Sequence, residues 1–500
     1  MASRPYFVYI AHSLYPEREF RNRLWQYDVG KESFGMEYKE YMDTLGEQIR
    51  DSRARRMVLG EIQVHIEEQC SAYEAKGMEH AAAMAESVRQ MGDPVETGAE
   101  LNRIHRPRIS WSLIGVAVAL TIVGILIQCN IFFMIADPPS WSNVWLYYGR
   151  NTIIYNLVGL AIMLGIMYLD YSFVGRWAYL WYGLYIGGLL AVYFRPLSYS
   201  QLQIIWYSMV SLYPLVLAGL IYRNRKRGLK GLVQCMALTL VALVGSLMHT
   251  SSACLEMLVV SGILLLVAVE KDIFGGKKLW QNLVLAGTAL VGALLGFWNI
   301  MAGGGWFNEN LRRRFFYFLH SGEASSKAGY LAMRQRELMA SCTLWGGQEL
   351  SAFTEGDEGL GLVLADNYVL SAIFAHFGIL IGILVVGALL FFAGKALHIS
   401  LHQKNRLGLL LGTACGLNLL VHILVFIAIN GGYAFYYTTG IPFLAYGLSY
   451  ALTNGLQVGL LLCVCRNSAI LAEEAGQPAK GVLLGKHRYR LRMERVPEKN

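Results

Sequence analysis

Hydrophobic residues in this chain are gathered into long, nearly uninterrupted runs, the first of which begins near Trp111. A run of about 18 or more mostly apolar residues is long enough to cross a bilayer as a helix. We predict spans at residues 110–135, 150–169, 176–195, 203–222, 230–249, 252–269, 279–300, 367–394, 407–429 and 439–465. The expected fold class is an all-α polytopic membrane protein with about ten transmembrane helices.

Lys and Arg residues are distributed unevenly between the loops that connect these spans. The short loops after the second, fourth, sixth and eighth spans carry 12 of them, whereas the alternate short loops carry only Arg150 and Arg195. Because cytoplasmic loops are enriched in Lys and Arg, this asymmetry predicts that both termini are cytoplasmic. The long loop at about 301–366 is then expected on the outer face of the membrane.

The segment before the first span is predicted to be a small helical unit. One apolar stripe in it has the three- and four-residue spacing of a helix, and an Ala-rich run from His80 to Met91 follows Gly77. The stripe contains Leu59, Ile62, Ile66, Cys70 and Tyr73. Two such helices bury little surface by themselves, so we expect them to dock on the membrane domain or on a partner.

These patterns divide the chain into three parts. A cytoplasmic helical prefix domain is expected at 1–108, a membrane domain at 109–466, and a basic cytoplasmic tail at 467–500.

Composition and charge exclude several classes of protein. Apolar residues make up 55% of the chain and charged residues only 16%, which is typical of a membrane protein. Residues 1–108 contain 15 Lys/Arg and 18 Asp/Glu, so the net charge of +8 comes from the apolar remainder. A membrane surface therefore explains the basic excess better than nucleic acid. The eight cysteines include no CxxC pair, and the sequence has no GxxxxGK[ST] nucleotide-binding loop.

Ionisable residues inside the predicted spans are candidates for function, because such groups are costly to bury in lipid. The candidates are His249, Glu256, His376 and His422. A hydrogen-bonded packing role is the simpler interpretation of the histidines, and no pair shows metal-ligand spacing. Glu256 falls early in its span, near the expected outer interface.

The long outer loop contains basic residues followed by an acidic stretch. The basic residues are Arg312, Arg313, Arg314, Lys327, Arg334 and Arg336, and the acidic ones are Glu355, Asp357, Glu358 and Asp366. Arginine binds phosphate oxygens in a bidentate way, and a carboxylate at a membrane edge is a candidate general base. Glycosyl transfer from a lipid diphosphate needs such a set. On composition alone, a solvated polar loop is the simpler interpretation.

Several motifs, taken in order, resemble those of the SEDS family, which includes RodA, FtsW and SpoVE. Gly159-Leu160-Ala161-Ile162-Met163 and Leu169-Asp170-Tyr171 resemble the family's second span and its Asp-Tyr turn. Similar matches follow at Arg312-Arg313, Gly329-Tyr330, Gly346-Gly347, Asp366-Asn367-Tyr368-Val369 with His376-Phe377-Gly378, and Thr439 to Gly447. The resemblance covers about residues 110–466. Met91-Gly92-Asp93-Pro94 is similar to a helical prefix found on other bacterial membrane proteins.

The resemblance implies a peptidoglycan glycosyltransferase of the bacterial cytoplasmic membrane. Such an enzyme polymerises the lipid-linked disaccharide-pentapeptide lipid II on the outer face and works with a class B penicillin-binding transpeptidase. It also implies roles for single residues. Asp366 would be the general base, and the diphosphate would be bound by Arg312, Arg313 and Arg334. A cavity at the last span would be shaped by Gly440, Pro442 and Tyr446. No cofactor or metal ligand is identified, and a requirement for a divalent cation stays open.

The chain departs from the family pattern at three places. Arg195-Pro196-Leu197-Ser198-Tyr199 lacks the family's glutamate, and the closing motif is two residues shorter, with Leu448 in place of a glycine. Counted back from Gly378, Asn367 occupies the position of the family's aspartate, and Asp366 lies one residue early. These departures favour a second interpretation, a non-catalytic scaffold or regulator of cell-wall synthesis. A third interpretation is a carrier of lipid-linked glycan precursor, or a polymerase similar to O-antigen ligases.

Overall fold

The computed structural model describes residues 37–105, 107, 109–135, 145–194, 199–247, 251–302, 335–347, 367–432 and 440–467, and regular structure in these ranges is helical. The N-terminal helices are α1 (Tyr38–Gln48), α2 (Ser52–Glu74), α3 (His80–Gln90) and α4 (Pro94–His105). The remaining helices are α5 (Trp111–Ile135), α6 (Arg150–Met167, preceded by a π-helical turn at Trp145–Gly149), α7 (Ser172–Arg176), α8 (Ala178–Tyr193), α9 (Tyr199–Arg223), α10 (Gly228–Leu247), α11 (Ser251–Glu270), α12 (Lys278–Ala302), α13 (Val369–Phe377), α14 (Ile379–Leu401), α15 (Arg406–Asn430) and α16 (Leu448–Asn467).

The four N-terminal helices have a small hydrophobic core of their own. Tyr41 and Leu45 of α1 pack there with Val58 and Ile66 of α2, and all four are at most 1% exposed. The sequence predicted only two helices here, which correspond to α2 and α3. The additional helices α1 and α4 provide the apolar surfaces against which these two pack. α4 approaches α1 closely at Gly98, where a Cβ atom would lie 2.9 Å from the Leu45 carbonyl oxygen.

The remainder is an all-α polytopic membrane protein. Eight helices in the described ranges are long and apolar enough to cross a membrane, and they are α5, α6, α10, α11, α12, α14, α15 and α16. The two other expected spans, 176–195 and 203–222, are occupied by shorter apolar helices at Ala178–Val192 and Ser208–Arg223.

The eighth expected span, 367–394, is not one continuous helix. It is divided at Gly378, whose φ of 95° and ψ of 164° lie outside the helical region. A segment of the preceding loop is bound at this break. Gly347 N donates to His376 O at 2.9 Å, and Ile379 N donates to Thr343 O at 3.0 Å. Hydropathy does not reveal the break, because apolar residues flank it on both sides.

The last expected span, 439–465, is also helical only in part. α16 begins at Leu448, and the described residues before it, 440–447, form an irregular segment. Gly440, Phe443 and Gly447 have positive φ angles of 61°, 68° and 136°, which a continuous right-handed helix does not allow.

α16 packs closely against α6 because small residues face each other at the contact. A Cβ atom on Gly159 would lie 2.7 Å from Ala451 O, and one on Gly459 would lie 2.8 Å from Met163 O. Glycines that allow two helix backbones to approach are typical of interfaces between membrane helices. The first residue of the SEDS-like second-span motif, Gly159, is therefore a packing residue.

Gly159→Ala is expected to destabilise the protein by about 1–3 kcal/mol, because the added methyl group overpacks the α6–α16 contact. Gly165→Ala on the same helix is the matched control, since nothing lies within 4 Å of its Cβ position. Thermal unfolding in detergent micelles measures both variants. Equal melting temperatures for the two variants would contradict the packing role of Gly159.

Candidate functional site

α15 carries a row of polar side chains through the interior of the helical bundle. Asn418 and Asn430 lie four residues before and eight residues after His422, so the three side chains follow one another along the same half of the helix surface. They are 7%, 8% and 3% exposed, and most of α15 is buried. Because a buried polar group is costly without a hydrogen bond, the partners of these side chains define the polar interior of the bundle.

His422 joins two groups that are distant in sequence. Its Nδ1 lies 3.2 Å from Glu256 Oε2 on α11, and its Nε2 donates to Gly440 O at 2.7 Å. The side chains of His422 and Glu256 are 10% and 7% exposed. With a rise of about 1.5 Å per residue, His422 lies about 24 Å along α15 from Arg406 and about 12 Å from Asn430. The side chain of Glu256 is buried within the bundle.

The acceptors around the ring determine where its protons lie. Gly440 O can only accept, so Nε2 carries a proton, and a second proton has to lie between Nδ1 and Glu256 Oε2. His422 and Glu256 are therefore joined by a hydrogen bond between Nδ1 and Oε2.

The irregular segment 440–447 is held between two membrane helices. Non-helical backbone at membrane depth is tolerated only where it is buried in protein or lines a cavity. His422 of α15 binds its first carbonyl oxygen, and Gln128 Nε2 of α5 donates to Leu444 O at 2.5 Å. These two side chains satisfy backbone groups that a helix would have paired internally.

Tyr446 anchors the end of this segment in an aromatic cluster. Its ring centroid lies 5.2 Å from that of Phe132, 5.6 Å from that of Tyr148 and 5.9 Å from that of Tyr155. The rings meet edge-on or tilted, which is a favourable arrangement of aromatic quadrupoles. Tyr446 therefore fixes the position from which α16 begins.

A small cavity, with room for about one ordered water molecule, adjoins His422. Gly440 and Pro442 close one side of it. Its polar lining consists of Ser208, Ser211, Asn418, His422, Thr453, Asn454 and Gln457. Asn418 Nδ2 orders this lining by donating to Ser211 O at 2.9 Å and to Gln457 Oε1 at 3.0 Å. Hydroxyl, amide and imidazole groups of this kind hydrogen-bond a buried water molecule.

The other end of the polar row fixes the start of α13. Asn430 Oδ1 accepts from Ser371 N at 3.1 Å, and Asn430 Nδ2 donates to Asn367 O at 3.2 Å. Gln335 Nε2 donates to Ser371 Oγ and to Asn430 O, the latter at 3.2 Å. All four residues are at most 9% exposed. Gln335, which lies within the long loop, and Asn367, which follows the loop, are thus bound to the same asparagine.

The site residues expected from the sequence divide into two groups. Gly440 and Pro442 line the cavity, Tyr446 lies in the aromatic cluster with Phe132, and Asn367 lies in the Asn430 network. The expected residues outside the described ranges are Asp366, Arg312, Arg313 and Arg334, together with His249.

Sequence reasoning missed two asparagines and two glutamines of this site, which are Asn418, Asn430, Gln335 and Gln457. Asn418 and Asn430 share a helical face with His422, and that spacing within an otherwise apolar span is a usable signal. Gln457 on α16 and Gln335 in the loop give no comparable signal, because their partners are brought to them only by the folded bundle.

No family model matches the sequence, and no curated protein is similar to it in sequence. In fold, the chain is similar to a chain of the solved structure described as "Structural coordination of polymerization and crosslinking by a peptidoglycan synthase complex". The match has a TM-score of 0.54 and 17% sequence identity, and it covers 72% of this chain and 98% of that chain. The two chains therefore share a fold over nearly the whole length of the solved chain.

Loss of either member of the His422–Glu256 pair is expected to destabilise the protein by about 3–5 kcal/mol, because the remaining member is left buried without its partner. The double variant His422→Ala/Glu256→Ala should lose clearly less than the sum of the two single variants. The free energy of unfolding in mixed micelles measures this cycle, with Leu255→Ala, at a position 44% exposed, as the neighbouring control. Simple additivity would contradict a direct interaction.

Proposed function

We propose that this protein is a peptidoglycan glycosyltransferase of the SEDS type, which polymerises lipid II on the outer face of the bacterial cytoplasmic membrane. The observation that carries the proposal is the fold shared with 98% of a chain from a peptidoglycan synthase complex. The resemblance of ordered motifs along residues 110–466 is consistent with it. In this proposal both termini are cytoplasmic, the loop at 301–366 faces outward, and a class B penicillin-binding transpeptidase is the partner.

The placement of two SEDS-like motifs supports the proposal. Gly346-Gly347 and His376-Phe377-Gly378 are separated in sequence, yet they meet at the break between α13 and α14. A Cβ atom on Gly346 would lie 2.2 Å from His376 O, so only glycine fits this contact. This segment of the loop is therefore attached at the C-terminal end of α13, the end opposite to Asn367.

The described residues that flank the central part of the loop lie close together. Arg334 and Asp366 are the sequence neighbours of Gln335 and Asn367. Gln335 and Asn367 both hydrogen-bond Asn430. This arrangement is consistent with Asp366 as the general base and Arg334 as a diphosphate contact, with Arg312 and Arg313 further back in the loop.

The reaction needs one proton transfer and the neutralisation of one leaving group. In our proposal Asp366 accepts the proton of the acceptor hydroxyl as its oxygen forms the glycosidic bond. The bond from the donor sugar to the lipid diphosphate breaks, and the arginines bind the diphosphate oxygens. In our proposal Gly440, Pro442 and Tyr446 of the 440–447 segment contact the lipid-linked substrate.

A non-catalytic scaffold within a peptidoglycan synthase complex is the second candidate. The observation that favours it is Asn367, an amide side chain two residues before the short helix α13, at the position of the family's carboxylate. An amide does not accept a proton as a carboxylate does, so a site that depended on this position alone would lack a base.

Full-length protein in liposomes with purified lipid II is expected to form glycan chains, which gel electrophoresis detects. Asp366→Ala should reduce the rate at least about 100-fold, since a positioned base contributes about 10²–10⁴-fold. Asn367→Ala should retain activity. Asp357→Ala, which removes another carboxylate of the same loop, is the matched control and should behave as the wild type.

The alternatives give different results in this assay. If the wild type is inactive and Asn367→Asp forms polymer, the protein is a scaffold whose ancestral base has been replaced. If lipid II crosses the vesicle membrane without polymer formation, the protein is a carrier.

A further inference from the structure

Three potential metal-ligand side chains converge at the hairpin between α2 and α3, remote from the site described above. Cys70 and Glu74 lie four residues apart on one face of α2, and His80 is the first residue of α3. Their donor atoms all lie within 4.8 Å of one another, in the one such group found within the described residues. The geometry points to a divalent transition-metal site here, with Zn²⁺ as the ion that the ligands suit best.

The distances are close to those that a bound ion requires. Cys70 Sγ lies 3.9 Å from His80 Nδ1, and a tetrahedral zinc ion would place sulfur and nitrogen ligands roughly 3.6 Å apart. His80 Nδ1 lies 2.5 Å from Glu74 Oε1, closer than the roughly 3.3 Å between two ligands of one zinc ion. The side chains of His80 and Glu74 are 73% and 41% exposed, so they are free to separate by that small amount.

The chemistry of the three side chains also favours a cation. A bound metal ion deprotonates a coordinating thiol and offsets the charges of the thiolate and the carboxylate. Zn²⁺ prefers thiolate and imidazole ligands and accepts a carboxylate, whereas Mg²⁺ and Ca²⁺ prefer oxygen ligands alone.

The position of the site indicates what the ion would do. Cys70 is 3% exposed and packed beside the small core of α1–α4, whereas His80 and Glu74 face solvent. Three protein ligands leave one coordination position open for water or another ligand. An ion bound here would fasten α3 to α2 across the turn at Gly77, and it would stabilise a four-helix unit whose own core is small.

Titration of full-length protein with Co²⁺ tests the site directly, because a thiolate ligand gives a sulfur-to-cobalt charge-transfer band and tetrahedral cobalt gives visible bands. The wild type is expected to show both, and Zn²⁺ should displace them. Cys70→Ser should lose the charge-transfer band, and Glu74→Gln and His80→Gln should each weaken binding at least about tenfold.

Two controls separate binding at this site from other effects. Cys342→Ser removes a cysteine of the loop segment and should leave the spectrum unchanged, as should Glu68→Gln on an exposed part of α2. Glu74 is exposed at the end of its helix, so Glu74→Gln tests the site without disturbing the core. No cobalt bands in the wild type, or the same bands in Cys70→Ser, would overturn the proposal.

Discussion

The absence of water inside a bilayer is the constraint on which this architecture depends, because every polar group there must find its partner within the protein. The irregular segment 440–447 needs such partners, because its backbone groups are not paired within a helix. His422 binds its first carbonyl oxygen, and Gln128 binds Leu444 O. Glu256 in turn holds the histidine in place from α11. Removing any one of these groups leaves another buried polar group without a partner.

α15 connects the two ends of the candidate site. Near its middle His422 fixes the segment that frames the cavity, and at its end Asn430 fixes the start of α13 and the described end of the loop at Gln335. A substrate that spans from the 440–447 segment to the loop would therefore meet groups positioned by one buried helix. Such positioning by a rigid element is what a reaction between two bound substrates requires.

The sequence predicted the helical membrane fold well, because long apolar runs leave few alternatives. It did not predict the division of the eighth span at Gly378 or the late start of α16 at Leu448, since both breaks lie within apolar stretches. The breaks depend on partners from elsewhere, such as Thr343 for Ile379. A pattern read along one helix does not contain that information.

For the candidate site, the sequence pointed to single residues but not to the contacts between them. Gly440 and Pro442 were expected at a cavity of the last span, and both line one. Glu256 and His422 were each singled out as costly residues, but their pairing across 166 positions was not predictable. Neither was the metal-ligand cluster at Cys70, because its three residues follow no familiar ligand spacing.

Photolabelling of full-length protein with a photoreactive lipid-linked diphosphate tests most directly whether the 440–447 segment forms part of the substrate site. We expect labels, mapped by mass spectrometry, at 440–447 and on the adjoining faces of α9 and α16, near Ser211 and Thr453, and excess lipid II should abolish them. Labelling confined to the lipid-exposed surface of α12 and unaffected by lipid II would contradict the account.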